Sequence, residues 1–339
     1  MNAKHLDTIP PCLWRDLTDP RLAREKDDLE AGLKEPEFDN LVIPEHFGPV
    51  KERIDAHKLK RYAFELDEYA PWMAMDSLPE GQPVYAQAGL LVNDLLQLFT
   101  LNYRASHVIG LHTEEQIWFD NPLPINEVVT LEGEYVDAYV QRGQGTVVME
   151  AKATDSKGNS IIRHRGIEIM KTIPGNITGR AQATPEKRVT GETDPEARRM
   201  AICAEDVRVG DVILPMEKTI TAEQAAVFSR VGEFVTNIHD DLATARKGNL
   251  RLPIVQGAQL FCAITHMLTR FFGPSFLSGG WLRTKFIAPV EVFEPISLSG
   301  QVTGVEDLED GRKKVMLEIW ARRSSDNRLA VAGWASCVK

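Results

Sequence analysis

Three residues in the C-terminal half of the chain could together perform acid–base chemistry beside a carbonyl group. Glu233 stands six residues before His239, and Gly257 follows His239 by 18 residues. A carboxylate and an imidazole that flank one water molecule can take a proton from it and deliver a proton elsewhere. Gly257 begins a long apolar segment, and a backbone amide at a helix N-terminus stabilises negative charge that develops on an oxygen. The fold must therefore provide a loop that carries His239 and a buried helix that begins at Gly257.

The sequence repeats itself at long range, which indicates two copies of one structural unit. Phe119–Pro122 matches Phe286–Pro289 at an offset of 167 residues, and the same offset places Gly133 on Gly300. The stretch between the two copies is rich in Thr, Pro, Gly and charge, which is typical of a linker. The predicted parts are an N-terminal extension over 1–43, a first repeat over 44–172, a linker over 173–206 and a second repeat over 207–339.

Each repeat is predicted to contain a short strand, a helix, a second and strongly apolar helix, and four long strands. The apolar helices are predicted over Gly89–Tyr103 and Gly257–Phe272, and both should be buried because they are apolar around most of their circumference. A run of antiparallel strands can cover such a helix only by wrapping around it. The predicted fold class is therefore α+β, a double hot dog, in which the two repeats pair edge to edge and protect a strand edge that each would otherwise expose.

The predicted long strands follow the apolar helix in each repeat. In the first repeat they span Ile117–Asp120, Val128–Ala138, Gly145–Thr154 and Ser160–Lys171. In the second repeat they span Trp281–Ile287, Ile296–Val305, Lys314–Arg322 and Leu329–Val338. Asp55 and Thr221 precede the first helix of each repeat and are predicted N-caps.

The segment from Gly232 to Asp241 resembles the signature Gly-Asp-x-Asn-Pro-(Ile/Leu)-His-x-Asp of the MaoC-like dehydratases and R-specific enoyl-CoA hydratases. Ile254–Gly257 resembles the (Ile/Val)-x-His-Gly motif of that family, and Phe286–Val290 resembles its Phe-x-x-Pro-Val strand. The likeness extends over nearly all of the chain from residue 44 onward. It implies a double hot-dog fold and reversible hydration of a 2-enoyl thioester or dehydration of a 3-hydroxyacyl thioester. It also implies no cofactor other than the coenzyme A that forms part of the substrate.

The resemblance implies a role for several residues near the motif. His239 takes the position of the catalytic histidine, and Gly257 takes that of the glycine whose amide forms the oxyanion hole. Glu233 takes the position of the catalytic carboxylate if the loop absorbs one extra residue. Asp241 matches the acidic residue after the histidine and is also a candidate N-cap for the segment that follows it. Gln256 stands where the family often has a histidine and is a candidate substrate contact.

The first repeat carries Met73 where the second carries its histidine. We therefore expect the second repeat to be catalytic and the first to shape an acyl pocket, with Trp72, Met73 and Tyr85 as lining residues. Arg283 and Lys285 lie two apart on one predicted strand and share a face, from which they could meet the phosphates of coenzyme A. Solvated strand charges are the alternative interpretation of this pair.

Two other functions stay open at this stage. A thioesterase on the same scaffold could use Asp94, on the first apolar helix, or Glu233. A protein without catalytic activity could bind an acyl thioester in the same place. His107 and His112 lie at a junction between a loop and a strand, and a structural role is the simpler interpretation of both.

Composition limits the partners. The chain has 339 residues, of which 43% are hydrophobic, and a formal net charge of −10, which disfavours a nucleic-acid partner. Its longest apolar stretch contains Gln256, Gln259 and His266 and is too polar to predict a membrane span. The four cysteines are far apart and suggest neither a disulfide framework nor a metal site. We expect a cytoplasmic protein, possibly a homodimer, whose ligand is a small acyl thioester.

Overall fold

The computed structural model describes residues 30–69, 84–108, 110–141, 143–171, 189–229, 237–248 and 250–339. In the first repeat the strands are β1 (Glu45–Arg53), β2 (Leu111–Phe119), β3 (Val128–Gln141), β4 (Gln144–Thr154) and β5 (Ser160–Lys171). Its helices are α1 (Ala56–Leu66) and α2 (Val92–Leu96), and a 3-10 helix (Gln97–Leu101) continues α2. The four long strands lie where the sequence predicts them, although β2 begins six residues earlier.

The second repeat has the same order of elements. Its strands are β8 (Met216–Thr219), β9 (Gly280–Phe286), β10 (Pro295–Asp307), β11 (Lys313–Arg323) and β12 (Leu329–Val338), preceded by the short β6 (Arg199–Met200) and β7 (Val212–Ile213). Its helices are α3 (Ala222–Ser229), α4 (Leu242–Lys247), α5 (Gly257–Phe272) and α6 (Phe276–Gly279). The repeat in the sequence therefore corresponds to a repeat in the structure.

All the strands belong to one sheet of 12, in the order β1-β3-β4-β5-β2-β9-β12-β11-β10-β7-β6, with β8 paired to β10. The two repeats meet where β2 pairs antiparallel with β9, with Ile117 opposite Leu282 and Trp118 opposite Trp281. Ile117 and Leu282 are fully buried, whereas Trp118 and Trp281 face outward on the other side of the sheet. The predicted edge-to-edge pairing of the repeats is confirmed.

The helix α5 is the centre of the hydrophobic core. Of its 16 residues, Phe261, Cys262, Ala263 and Ile264 have no exposed surface at all. Its observed bounds equal the predicted ones, because an apolar run begins at one glycine and ends before Gly273, which adopts a positive φ of 66°.

The corresponding helix of the first repeat is much shorter than predicted. The prediction of one helix over Gly89–Tyr103 is wrong, since an α-helix occupies only Val92–Leu96 and the 3-10 helix follows. Tertiary contacts outweigh helix propensity here. Asn93 donates a hydrogen bond to the carbonyl of Phe228, and a Cβ on Gly89 would lie 2.2 Å from the hydroxyl oxygen of Tyr62. The second repeat thus occupies the space against which a longer helix would have to pack.

Capping and linker contacts complete the frame around the core. Asp55 accepts a hydrogen bond from the Lys58 amide at the start of α1, and Thr221 accepts one from the Gln224 amide at the start of α3, as predicted. Within the predicted linker, Val189 packs against Trp320, and β6 pairs parallel with β7. In the part of the chain that the structure describes, no helix is long and apolar enough to cross a membrane.

Candidate active site

The N-terminus of α5 has no side-chain cap. Gln256 is the N-cap residue, with φ −63° and ψ 144°, and its side chain makes no capping hydrogen bond. Its Oε1 atom is buried and has no hydrogen-bond partner among the described residues. The amides of the first turn are thus not engaged by a capping side chain, and the dipole of this 16-residue helix favours negative charge beside Gly257.

His239 lies on the loop before α4 and is anchored to the backbone that leads into α5. Its Nδ1 atom is 2.7 Å from the carbonyl oxygen of Ile254, three residues before Gly257. A carbonyl oxygen can only accept, so Nδ1 carries the proton and donates it, which leaves Nε2 with a lone pair in the neutral ring. Burial lowers the pKa of His239 to about 4, although the Ile254 carbonyl opposes this shift. His239 is therefore a neutral imidazole at pH 7, with Nε2 able to accept a proton.

Local hydrogen bonds shape the loop that carries His239. The His239 amide donates to Oδ1 of Asn237 at 2.8 Å, and the Asn237 amide donates to Oδ1 of Asp240 at 2.7 Å. Asp241 is the N-cap of α4, and its Oδ1 accepts hydrogen bonds from both the amide and the hydroxyl of Thr244. The catalytic assignment of Asp241 finds no support in this geometry, because its carboxylate is used to cap the helix. The alternative N-cap interpretation is confirmed.

The absence of a side chain at Gly257 leaves a narrow space between the helix and two strands. A Cβ built on Gly257 would lie 3.3 Å from Cβ and Nδ1 of His112, on β2, and 3.3 Å from Cε1 of Phe286, on β9. The rings of His112 and Phe286 themselves lie with their centroids 4.7 Å apart. The start of α5 thus faces one residue from each repeat, at the place where the repeats meet.

His112 belongs to a buried ionisable cluster that sequence reasoning missed. Its Nε2 atom lies 2.7 Å from Oε2 of Glu115, and the other oxygen of Glu115 lies 2.8 Å from Nε2 of His164. Glu168, on β5, is the cross-strand partner of His112. Burial alone would lower the pKa of His112, but Glu115 outweighs burial and raises it. Conversely, burial would raise the pKa of Glu115, but His164 and His112 hold it below its usual range.

Gly166 provides the room for this cluster. A Cβ at that position would lie 3.1 Å from Cε1 of His164 and 3.5 Å from Oε2 of Glu115. Burial raises the pKa of the neighbouring Glu168 carboxyl, and the negative charge of Glu115 adds to that effect. Among the described residues, no group of three or more His, Cys, Asp or Glu side chains could hold a metal ion.

Arg283 and Lys285 lie on the face of the sheet that points away from α5. Thr284, between them, is fully buried on the inner face. Arg283 makes a two-point ion pair with Glu114, with Nε 2.7 Å from Oε1 and Nη2 3.1 Å from Oε2. Nζ of Lys285 lies 3.8 Å from the same carboxylate, and both cations lie over the ring of Trp334. These two residues, predicted to bind substrate, are thus on the opposite side of the sheet from Gly257 and tie the repeats together.

Asp94, the candidate base of a thioesterase, is engaged elsewhere. Its Oδ2 atom accepts a hydrogen bond from Nζ of Lys58 at 2.8 Å, and its side chain is 7% exposed. Tyr85 is half-buried against the core and forms a bridge with Pro124. The predictions for Glu233, Trp72 and Met73 concern positions outside the described residues.

A groove of about 690 Å³ lies over the outer face of the first-repeat sheet. Its cations are matched by acids, since Arg163 makes a two-point ion pair with Asp120, and Lys152 lies 2.9 Å from Glu132. The groove therefore offers no free positive charge to a phosphate among these pairs, and it is separated from α5 by the sheet.

No protein-family model matches the sequence, and no curated protein matches it. Solved structures do match the fold. A MaoC domain protein dehydratase from Chloroflexus aurantiacus, so described with the qualifier "putative", has a TM-score of 0.67 at 12% identity, over 91% of this chain and 98% of that one. A conserved hypothetical protein from Mycobacterium tuberculosis with a double hot-dog fold has a TM-score of 0.61 at 15% identity, over 90% and 98%.

The peroxisomal multifunctional enzyme type 2 from Drosophila melanogaster contains a similar unit within a longer chain. Its TM-score is 0.59 at 14% identity, and the match covers 87% of this chain and 48% of that one. At these identities the likeness establishes the fold and leaves the chemistry to be argued from the residues. The chain has the double hot-dog fold that its sequence predicts.

Proposed function

We propose that this protein adds water reversibly to a 2-enoyl thioester, or removes it from a 3-hydroxyacyl thioester. One observation carries the proposal: a neutral His239 is anchored through Nδ1 to the strand that runs into the uncapped N-terminus of α5. An acceptor nitrogen and a helix terminus that favours negative charge are the two groups that such a reaction needs most. The structural likeness to proteins named MaoC-like dehydratases supports the same chemistry.

The water must lose a proton while its oxygen bonds to the β-carbon of the substrate. In the proposed mechanism Nε2 of His239 accepts a hydrogen bond from this water, and Glu233 is its second partner. The Nδ1–H to Ile254 bond holds the ring in the required tautomer throughout. The proton released by the water is delivered to the α-carbon, so that one water molecule is added and nothing else is consumed.

Between the two bond-forming events, negative charge moves onto the thioester oxygen. We propose that the Gly257 amide donates a hydrogen bond to this oxygen, and the dipole of α5 adds to its stabilisation. The missing side chain at Gly257 allows the thioester to approach the amide closely. Dehydration follows the same path in reverse, with the water formed from the hydroxyl at the β-carbon.

The second repeat is the catalytic half in this proposal, because it supplies His239, Gly257 and Glu233. The first repeat completes the acyl pocket, to which we assign Trp72, Met73 and Tyr85, while Gln256 contacts the bound thioester. Coenzyme A enters as part of the substrate, and no other cofactor takes part in the proposed steps.

Purified protein mixed with 2-enoyl-CoA thioesters of graded chain length tests the proposal. Two signals are recorded together, the loss of the conjugated enoyl absorbance and the release of free thiol. We expect the absorbance to fall to an equilibrium value without thiol release. Thiol release that accompanies substrate loss would instead identify a thioesterase, and binding without either signal would identify a non-catalytic protein.

A further inference from the structure

A second imidazole faces the same helix terminus as the proposed substrate oxygen. The side chain of His112 is 10% exposed, and its Nδ1 atom is buried without a hydrogen-bond partner among the described residues. That atom lies 3.3 Å from where a Cβ of Gly257 would be. A buried polar nitrogen without a partner is costly, so a group placed here calls for a ligand.

The orientation of the His112 ring is fixed from its other end. Nε2 lies 2.7 Å from Oε2 of Glu115 and 3.1 Å from the carbonyl oxygen of Glu114. Both partners are acceptors, so Nε2 carries a proton in either charge state of the ring. The ring can therefore turn only Nδ1 toward the start of α5, and the ring of Phe286 packs against it from β9.

The charges around His112 favour its cationic form. Glu115 faces it from the same strand and Glu168 faces it from β5, while His164 lies on the far side of Glu115. Although burial opposes it, the Glu115 carboxylate raises the pKa of His112 above the ordinary value. In the cation Nδ1 also carries a proton, so it is a donor that points at the helix terminus. A cation and a helix N-terminus repel each other, and an anionic oxygen between them relieves that repulsion.

We propose that His112, from the first repeat, is a catalytic residue that donates a hydrogen bond from Nδ1 to the thioester oxygen beside the Gly257 amide. The inference rests on the proposed hydration and adds a second donor to it. Glu115 is a positioning residue, because it acts on the substrate only through His112. The site then requires both repeats, with the water-activating group from the second and one oxygen-stabilising group from the first.

Two substitutions at His112 separate a donor from a mere filler of space. H112N keeps a neutral N–H donor close to the position of Nδ1, whereas H112L keeps comparable bulk without any donor. We expect H112L to lower kcat roughly 10²–10³-fold, as loss of one oxyanion donor does, with KM changed much less. H112N should recover part of that loss. H46A is the matched control, since His46 is 76% exposed and lies at the surface.

Glu115 provides a readout that a structural role would not change. In the wild type, kcat/KM should fall at high pH as His112 loses its proton, and E115Q should move that limb to lower pH. Thermal melting of each variant identifies any that fails to fold. Selective ¹⁵N labelling of histidine, assigned with H112N, follows the His112 titration without substrate, and a ring that is neutral at pH 7 would overturn the proposal.

Spectra of bound cinnamoyl-CoA separate failure of this inference from failure of the proposed function. Polarisation of the thioester oxygen shifts the enoyl absorbance to longer wavelength without turnover. We expect a red shift with the wild type that is lost in folded H112L. An active H112L with the wild-type red shift would overturn the role of His112 and leave the hydration standing. A wild type that neither hydrates enoyl thioesters nor shifts the spectrum would overturn both.

Discussion

Nδ1 of His239 lies 2.7 Å from the carbonyl oxygen of Ile254, and this contact sets the chemistry of the imidazole. It selects the tautomer in which Nε2 is the acceptor, and it ties the loop to the chain segment that enters α5 at Gly257. The amide of Ile254 in turn donates to the carbonyl of Ile238 at 3.1 Å, so the loop is held on both sides. His239 is thus presented as a fixed neutral base.

The stability of the protein should depend on the protonation of His239. Its pKa is about 4 in the folded state against an ordinary value of 6.5, so the unfolded state binds more protons between these values. The free energy of unfolding should therefore fall as the pH falls through this window, by about 1–3 kcal/mol from this residue. Urea denaturation at pH 7 and pH 4.5 measures it. H239Q should lack this part of the pH dependence, and an equal dependence in both proteins would contradict the assigned environment.

The close contact between β12 and β9 predicts a strong effect at Gly333. A Cβ there would lie 2.0 Å from the carbonyl oxygen of Arg283 and 2.9 Å from Cα of Thr284, so the two strands would have to separate. We expect G333A to lower the free energy of unfolding by about 3 kcal/mol, measured by chemical denaturation. G110A is the control, because its nearest contact is the side chain of Val108 at 3.3 Å. Equal stability of the two variants would show that the seam is looser than described.

The ion pair between Glu114 and Arg283 should stabilise the junction of the repeats. The two side chains are only 11% and 25% exposed and make a two-point contact. A double-mutant cycle of E114Q and R283M should give a coupling energy of about 1–3 kcal/mol. The pair of Glu132 and Lys152, which are 45% and 51% exposed, should give less than about 1 kcal/mol. Coupling energies of the same size would contradict a special role for the junction.

The fold was accessible from the sequence because its signals are local or repeated. The bounds of α5 follow from one apolar run between two glycines, and the long strands are separated by turn residues. The constant offset between Phe119 and Phe286 then indicates the duplication. The shortened helix at Val92–Leu96 could not be read in the same way, because its length is limited by contacts with residues far away in the chain.

The cluster around His112 could not be predicted because it depends on a break in strand register. Simple alternation places His112 and Glu115 on opposite faces of β2. A shift in register between His112 and Glu114 brings them onto one face, where they are 2.7 Å apart. His164 comes from another strand, about 50 residues later, and carries no local signal. A histidine and a glutamate three residues apart on a predicted strand was the one available hint.

The same alternation explains the misplacement of Arg283 and Lys285. Their shared face was predicted correctly, but the sequence does not say which face of the sheet points at α5. The fully buried Thr284 between them settles the question, since it lies on the inner face. The outer face then brings both cations to Glu114.

The hydration rate of H239A tests the central claim most directly. The measurement is kcat/KM for a 2-enoyl-CoA at pH 7, with circular dichroism to establish that the fold is intact and H46A as the surface control. The account predicts that H239A is slower by about 10²–10⁴-fold while H46A matches the wild type. A folded H239A that hydrates the substrate at the wild-type rate would contradict it.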